Sequence, residues 1–115
     1  MQNTNMLTTF EYQEAIRNYS ESRKRILTTL YEIEPVVDSC IIAENLGYKG
    51  YQAANLHIGS IGKSISDHQQ RKPKIVYEHK GKDTYGYFSL VHNHDGEKWV
   101  MVKELKQAIK NLGWV

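Results

Sequence analysis

The chain has 115 residues, 40% hydrophobic and 24% charged, with a mean hydropathy of −0.60, which suits one domain with a modest core. Fifteen Lys and Arg against 13 Asp and Glu leave a formal charge of only +2, which excludes a histone-like or tail-driven grip on nucleic acid. A lone Cys40 excludes an internal disulfide framework, and no apolar run approaches the ~20 residues needed to cross a bilayer.

The polar start Met1-Gln2-Asn3-Thr4-Asn5 lacks the basic and apolar pattern of a signal peptide, so a cytoplasmic protein with a disordered 1–8 is expected. A single domain then spans 9–115. Thr8 and Glu11 have capping-box spacing, and Leu7 with Tyr12 would form the matching staple. A helical period runs through Phe10, Ile16, Tyr19, Ile26, Leu27, Leu30, Tyr31 and Ile33 until Pro35 stops it. Ser20-Glu21-Ser22 is a candidate break that divides 9–34 into two helices. Arg17, Arg23, Lys24 and Arg25 fall off the apolar stripe. A solvated face is their default reading, and for the three successive cations Arg23, Lys24 and Arg25 near a helix start, contact with phosphates is the alternative.

Asp38 is a good N-cap for a short helix over 39–46 that ends at Gly47. Cys40 lies in an apolar run and reads as a core residue. Ala43, Gly47, Ala53 and Leu56 have the spacing of two helices crossing at a tight turn. Ala43 admits the second helix, Gly47 takes a positive φ, and Ala53 with Leu56 would face inward. This is a helix-turn-helix pattern over 38–68, whose second helix can enter a DNA major groove. An ordinary helix pair with a glycine C-cap satisfies the same positions. The second helix is expected from Tyr51 to His68, with Ala54, Ile58, Ile61 and Ile65 in register. Gly59 and Gly62 inside it each cost about 1 kcal/mol relative to alanine, which implies a bend or a close approach by another element.

Gln69 to Lys74 is a polar breaker, after which the period becomes two. Ile75-Val76-Tyr77 reads as a strand, Lys80-Gly81-Lys82-Asp83 as a turn, and Tyr85 to Val91 as a second strand. Asn93 to Glu97 is a further turn, and Trp99-Val100-Met101 a third short strand. Lys103 to Leu112 is again helical, stopped by Gly113, with Trp114 and Val115 expected to fold back onto the core. The predicted class is therefore α+β: a winged helix-turn-helix with extra N-terminal helices, a two- to three-stranded antiparallel sheet over 74–101 and a C-terminal helix over 103–112. The wing would be Lys80-Gly81-Lys82-Asp83-Thr84. Lys80 and Lys82 there suit a phosphate backbone or minor groove, although Lys and Gly at a hairpin tip also serve solubility.

In this arrangement Lys49, Tyr51, Gln52, Ala54 and Asn55 surround the start of the second helix. Gln52 and Asn55 can each donate and accept, the geometry that pairs with N6 and N7 of adenine. Ala54 suits a thymine methyl or the inner stripe. Lys49, Tyr48 and Tyr51 would meet phosphates, as would Ser60, Lys63 and Ser64 further along. Three other motifs are discounted. Gly59 to Ser64 ends like a phosphate-binding loop, but His57 stands where its first glycine belongs and no strand precedes it. His92-Asn93-His94 spells H-N-H, yet the nuclease motif of that name is not contiguous. His92 and His94, with Asp95 or His79, could share a metal, but exposed turn histidines are the default. No nucleophile, base and orienting acid assemble by spacing.

The stretch Ala43 to Gly59, with Trp99 to Leu105 and Leu112 to Val115, resembles the winged-helix domains that accompany HNH-type restriction endonucleases in bacteria. The resemblance spans 38–115 and implies a DNA-recognition module, one that can sense modified bases, with a link to phage defence. No nuclease segment follows Val115, so cutting is not carried over. The expected function is non-enzymatic binding of double-stranded DNA, without metal or cofactor, through Lys49, Tyr51, Gln52, Asn55, Ser60, Lys63, Lys80 and Lys82. The N-terminal helices would brace the fold or form a homodimer. The alternative is a protein-interaction module on the same scaffold, such as an inhibitor of a bacterial defence complex of the anti-restriction or anti-CRISPR type. The weak net charge and eight tyrosines favour that alternative.

Overall fold

The first helix starts where two side chains satisfy its open N–H groups. Thr8 Oγ1 accepts the Glu11 N–H at 3.1 Å, and the Glu11 carboxylate accepts the Thr8 N–H at 2.9 Å. The computed structural model describes residues 7–73, 76–94 and 98–115. Helix α1 spans Thr9–Ile16 and buries Tyr12, Ala15 and Ile16. Leu7 is buried as fully as Tyr12, so Leu7 and Thr8 belong to the fold and not to a disordered 1–8. Residues 1–6 of that expected disordered segment lie outside the described residues. Phe10 leaves the expected stripe and is 66% exposed. Two residues before Tyr12, it points about 200° away around the helix.

Ser20 caps α2 (Glu21–Ile33), so the Ser20-Glu21-Ser22 segment does divide the N-terminal region into two helices. Asp38 accepts the Cys40 N–H at 2.9 Å and opens α3 (Ser39–Leu46). Gly47 closes it with φ of +82°, where any side chain is strained. Ile42, Ala43 and Leu46 are the buried positions of α3, which turns Cys40 out to solvent. The core assignment of Cys40 is thereby corrected.

Helix α4 (Tyr51–Gln69) is the longest element, and Ala54, Ile58, Ile61 and Ile65 form its buried stripe. Ala53 and Leu56 do not face inward: both are exposed, Leu56 at 74%. They lie about 100° before and 200° beyond Ala54 around the helix, so one face cannot hold all three. Gly62 is required by a close approach. A Cβ there would stand 2.0 Å from the Tyr87 carbonyl oxygen, whereas one at Gly59 would meet nothing within 4 Å.

The segment after α4 forms two hairpins in place of one sheet. Strands β1 (Val76–His79) and β2 (Lys82–Tyr85) are antiparallel, with Val76 opposite Tyr85 and His79 opposite Lys82. Their turn is only Lys80-Gly81, both at positive φ, tighter than the four residues expected. Beyond Tyr85 the predicted long strand breaks into a 3-10 turn, Tyr87–Leu90, whose backbone packs against Gly62. Strands β3 (His92–His94) and β4 (Trp99–Met101) form the second hairpin. Asn93 and His94 are thus strand residues, and Asp95 to Glu97 lie outside the described residues. Val36, between α2 and α3, exchanges both backbone hydrogen bonds with Trp99 and adds a one-residue third strand beside β4.

Helix α5 (Lys103–Asn111) buries Leu105, Ala108 and Ile109, and Gly113 follows at φ of +77°. Trp114 folds back onto the core, as expected, while Val115 is 47% exposed. Helix α1 packs between α5 and α4, and the Tyr12 hydroxyl donates to the Leu90 carbonyl. The class is α+β, and the order of five helices and short antiparallel strands is compatible with a winged-helix layout. Among the described residues, no helix is long and apolar enough to cross a membrane.

Candidate functional site

The stripe that buries Ala54, Ile58, Ile61 and Ile65 leaves the opposite face of α4 to solvent. Gln52, Asn55, Leu56, Ser60 and Lys63 are all exposed there. Along one side of that face runs a cleft of about 400 Å3, open to solvent and walled by Thr84 and Tyr85 of β2 and by Tyr87 and Phe88 of the 3-10 turn. Gly59 forms part of its floor, where the helix backbone is uncovered. Four expected contact residues, Gln52, Asn55, Ser60 and Lys63, are therefore brought to one cleft.

The others are placed differently. Lys49 is exposed in the turn before α4, and Lys80 and Lys82 are exposed at the tip and start of the β1–β2 hairpin, so none of the three lines the cleft. Tyr51 is half buried with its ring 5.9 Å from that of Trp99, on the core side of α4. It tethers the second hairpin, and burial raises its hydroxyl pKa. Tyr48 is likewise half buried, stacked on His57 at 4.7 Å. Ala54 is fully buried and cannot meet a thymine methyl. Leu56 is the apolar group that the outward face offers instead. The first turn of α4 has Gly50 as its N-cap and receives no side-chain cap, which leaves the positive end of a 19-residue helix beside Lys49.

Charge at the cleft is partly paired. Lys63 Nζ lies 3.1 Å from the Asp67 carboxylate and 5.6 Å from the Tyr87 ring centre. The hydrogen bond to Asp67 is the main cause of its raised pKa. Lys72 stands over two rings at once, 5.5 Å from Tyr85 and 5.9 Å from Tyr87. No sequence pattern singles out Lys72, because it sits in a breaker whose position depends on where the chain turns after α4.

The histidine and cysteine readings change. His92 is buried at 2% exposure and stacks on Trp99 at 4.9 Å; it is no exposed turn residue. Among the described residues its Nδ1 has no hydrogen-bond partner, and desolvation lowers its pKa to about 4. Among the described residues no group of three His, Cys, Asp or Glu could hold a metal ion. The exposed Cys40 thiol has its pKa raised, chiefly by the Asp38 carboxylate, which disfavours a nucleophilic thiolate. The run Gly59 to Ser64 lies within α4 and is continuous helix, not a loop. Comparison of the chain with protein-family models, curated proteins and solved structures finds no match.

Proposed function

We propose that the chain binds duplex DNA as a winged-helix module, with α4 entering the major groove and the β1–β2 hairpin alongside as the wing. The observation that carries this reading is the exposure of Gln52 and Asn55 together on a helix face that ends in an uncapped, Lys49-flanked N-terminus. An amide of this kind pairs in bidentate fashion with adenine N6 and N7, and Leu56 supplies apolar contact for a thymine methyl. Lys49, Lys80 and Lys82 contribute phosphate contacts at the two ends of the surface. A net charge of +2 makes affinity depend on this local placement and not on the global field.

The test is a titration of mixed and selected duplexes by fluorescence anisotropy at several salt concentrations. Asn55→Ala is expected to cost ~1–3 kcal/mol of specific binding. Lys82→Ala is expected to flatten the dependence of log K on log salt by about 0.9 while leaving sequence preference alone. Absence of affinity for any duplex at low salt refutes the reading. One observation favours a protein partner instead: Leu56 and Tyr85 place exposed apolar groups at the cleft. Retention of a bacterial nuclease complex on the immobilised chain after nucleic-acid digestion, lost with Leu56→Asp, would select that second reading.

A further inference from the structure

A second recess, of about 380 Å3, opens where the start of α2 meets α4. Ser60 and Lys63 line it as well as the cleft, so the two depressions share a ridge on the outer face of α4. The remaining walls are Arg23, Ser64 and Asp67. Arg23 is held in place. Its Nη1 donates to Ser64 Oγ at 3.1 Å, and its guanidinium carbon lies 4.9 Å from the centre of the Tyr19 ring. The Tyr19 hydroxyl donates to the same Ser64 oxygen at 3.0 Å.

A guanidinium carries five N–H donors in a planar fork that matches two oxygens of a phosphodiester. With one donor engaged by Ser64 and the plane seated against Tyr19, Arg23 has little freedom left to lose on gripping such an anion. Lys63 supplies a second positive charge, offset in part by Asp67, and Ser60 a hydroxyl. Spacing adds a further constraint. Ser60 lies eight residues beyond Gln52, about 12 Å along the helix at 1.5 Å per residue, and the major groove is also about 12 Å wide. With the first turn of α4 and Lys49 at one groove wall, the recess falls at the other.

We infer that the α2–α4 recess binds a backbone phosphate of the strand opposite the one that meets the N-terminus of α4, with Arg23 as its main donor. This rests on the duplex-binding reading above, and it adds α2 to the DNA-contacting surface. The test uses the full chain and a labelled mixed-sequence duplex, with anisotropy measured across a salt series. Arg23→Gln should lower the steepness of log K against log salt by about 0.9, the signature of one lost phosphate contact. Asp67→Asn, which removes an exposed carboxylate and frees Lys63, should tighten binding several-fold at the same salt. Lys110→Gln, at an exposed position of α5, makes the same charge change as Arg23→Gln and should do neither. Arg23→Gln behaving like Lys110→Gln, or Asp67→Asn leaving affinity unchanged, overturns the recess while the wild type still binds. Failure of the wild type to bind any duplex at low salt overturns the DNA reading and the recess with it.

Discussion

Two glycines three residues apart in α4 should respond oppositely to the same substitution. At Gly62 an added methyl would stand 2.0 Å from the Tyr87 carbonyl oxygen and 2.7 Å from its carbon, both main-chain atoms that no rotamer change can remove. To restore an ordinary contact, the 3-10 turn and α4 must part by roughly 1.4 Å, which carries the cost of overpacking, ~3 kcal/mol at the upper end of its usual range. The gain in helix propensity returns only about 1 kcal/mol, for a net loss of ~2 kcal/mol. At Gly59 nothing lies within 4 Å, so alanine there keeps the propensity gain of about 1 kcal/mol. The two variants should differ by ~3 kcal/mol, on the order of 10 °C in Tm for a chain of this size. Thermal and urea unfolding followed by circular dichroism measure this directly. Gly62→Ala as stable as Gly59→Ala would mean that the Tyr87 backbone does not lie against α4, and the cleft wall formed by Tyr87 and Phe88 would fall with it.

Acid should destabilise the fold through His92. Its pKa is about 4 in the folded chain against an ordinary 6.5, so protons bind the unfolded chain more readily. The stabilisation from keeping this ring neutral is complete above pH 6.5 and is lost as the pH falls towards 4, a change of about 3 kcal/mol. His92→Phe keeps a ring against Trp99 and should flatten this limb of the stability profile; an unchanged limb would exclude His92 as its source. For Cys40, Asp38→Asn should accelerate alkylation of the thiol at mildly alkaline pH by lowering its pKa. Equal rates in the two proteins would show that the carboxylate does not govern the thiol.

Helix ends were legible in the chain because local groups decide them. Thr8 with Glu11, Asp38 and Gly47 act within a few residues of their own backbone, and each does in the structure what its side chain, or lack of one, predicts. The buried stripe Ala54, Ile58, Ile61 and Ile65 was equally readable from its period. What pattern alone misassigned are properties set through space. Leu56 has the composition of a core residue, but the stripe occupies the opposite side of α4. The run from Tyr85 to Val91 has strand composition, yet it turns at Tyr87 so that its backbone can lie on Gly62. His92 looks like a turn residue until Trp99, seven positions away, covers it.

The amino-acid order by itself determined the helices, the caps at Thr8, Asp38 and Gly47 and the main buried stripe of α4, since hydrogen bonding and helical periodicity are short-range. Only the tertiary structure decided that Gln52, Asn55, Ser60 and Lys63 share a cleft with Tyr85 and Tyr87, and that Arg23 meets Ser64 across 41 positions. Those meetings depend on how closely α4 is approached by the 3-10 turn on one side and reached by the Tyr19 and Arg23 side chains on the other. Close packing between distant segments leaves no local signal to read.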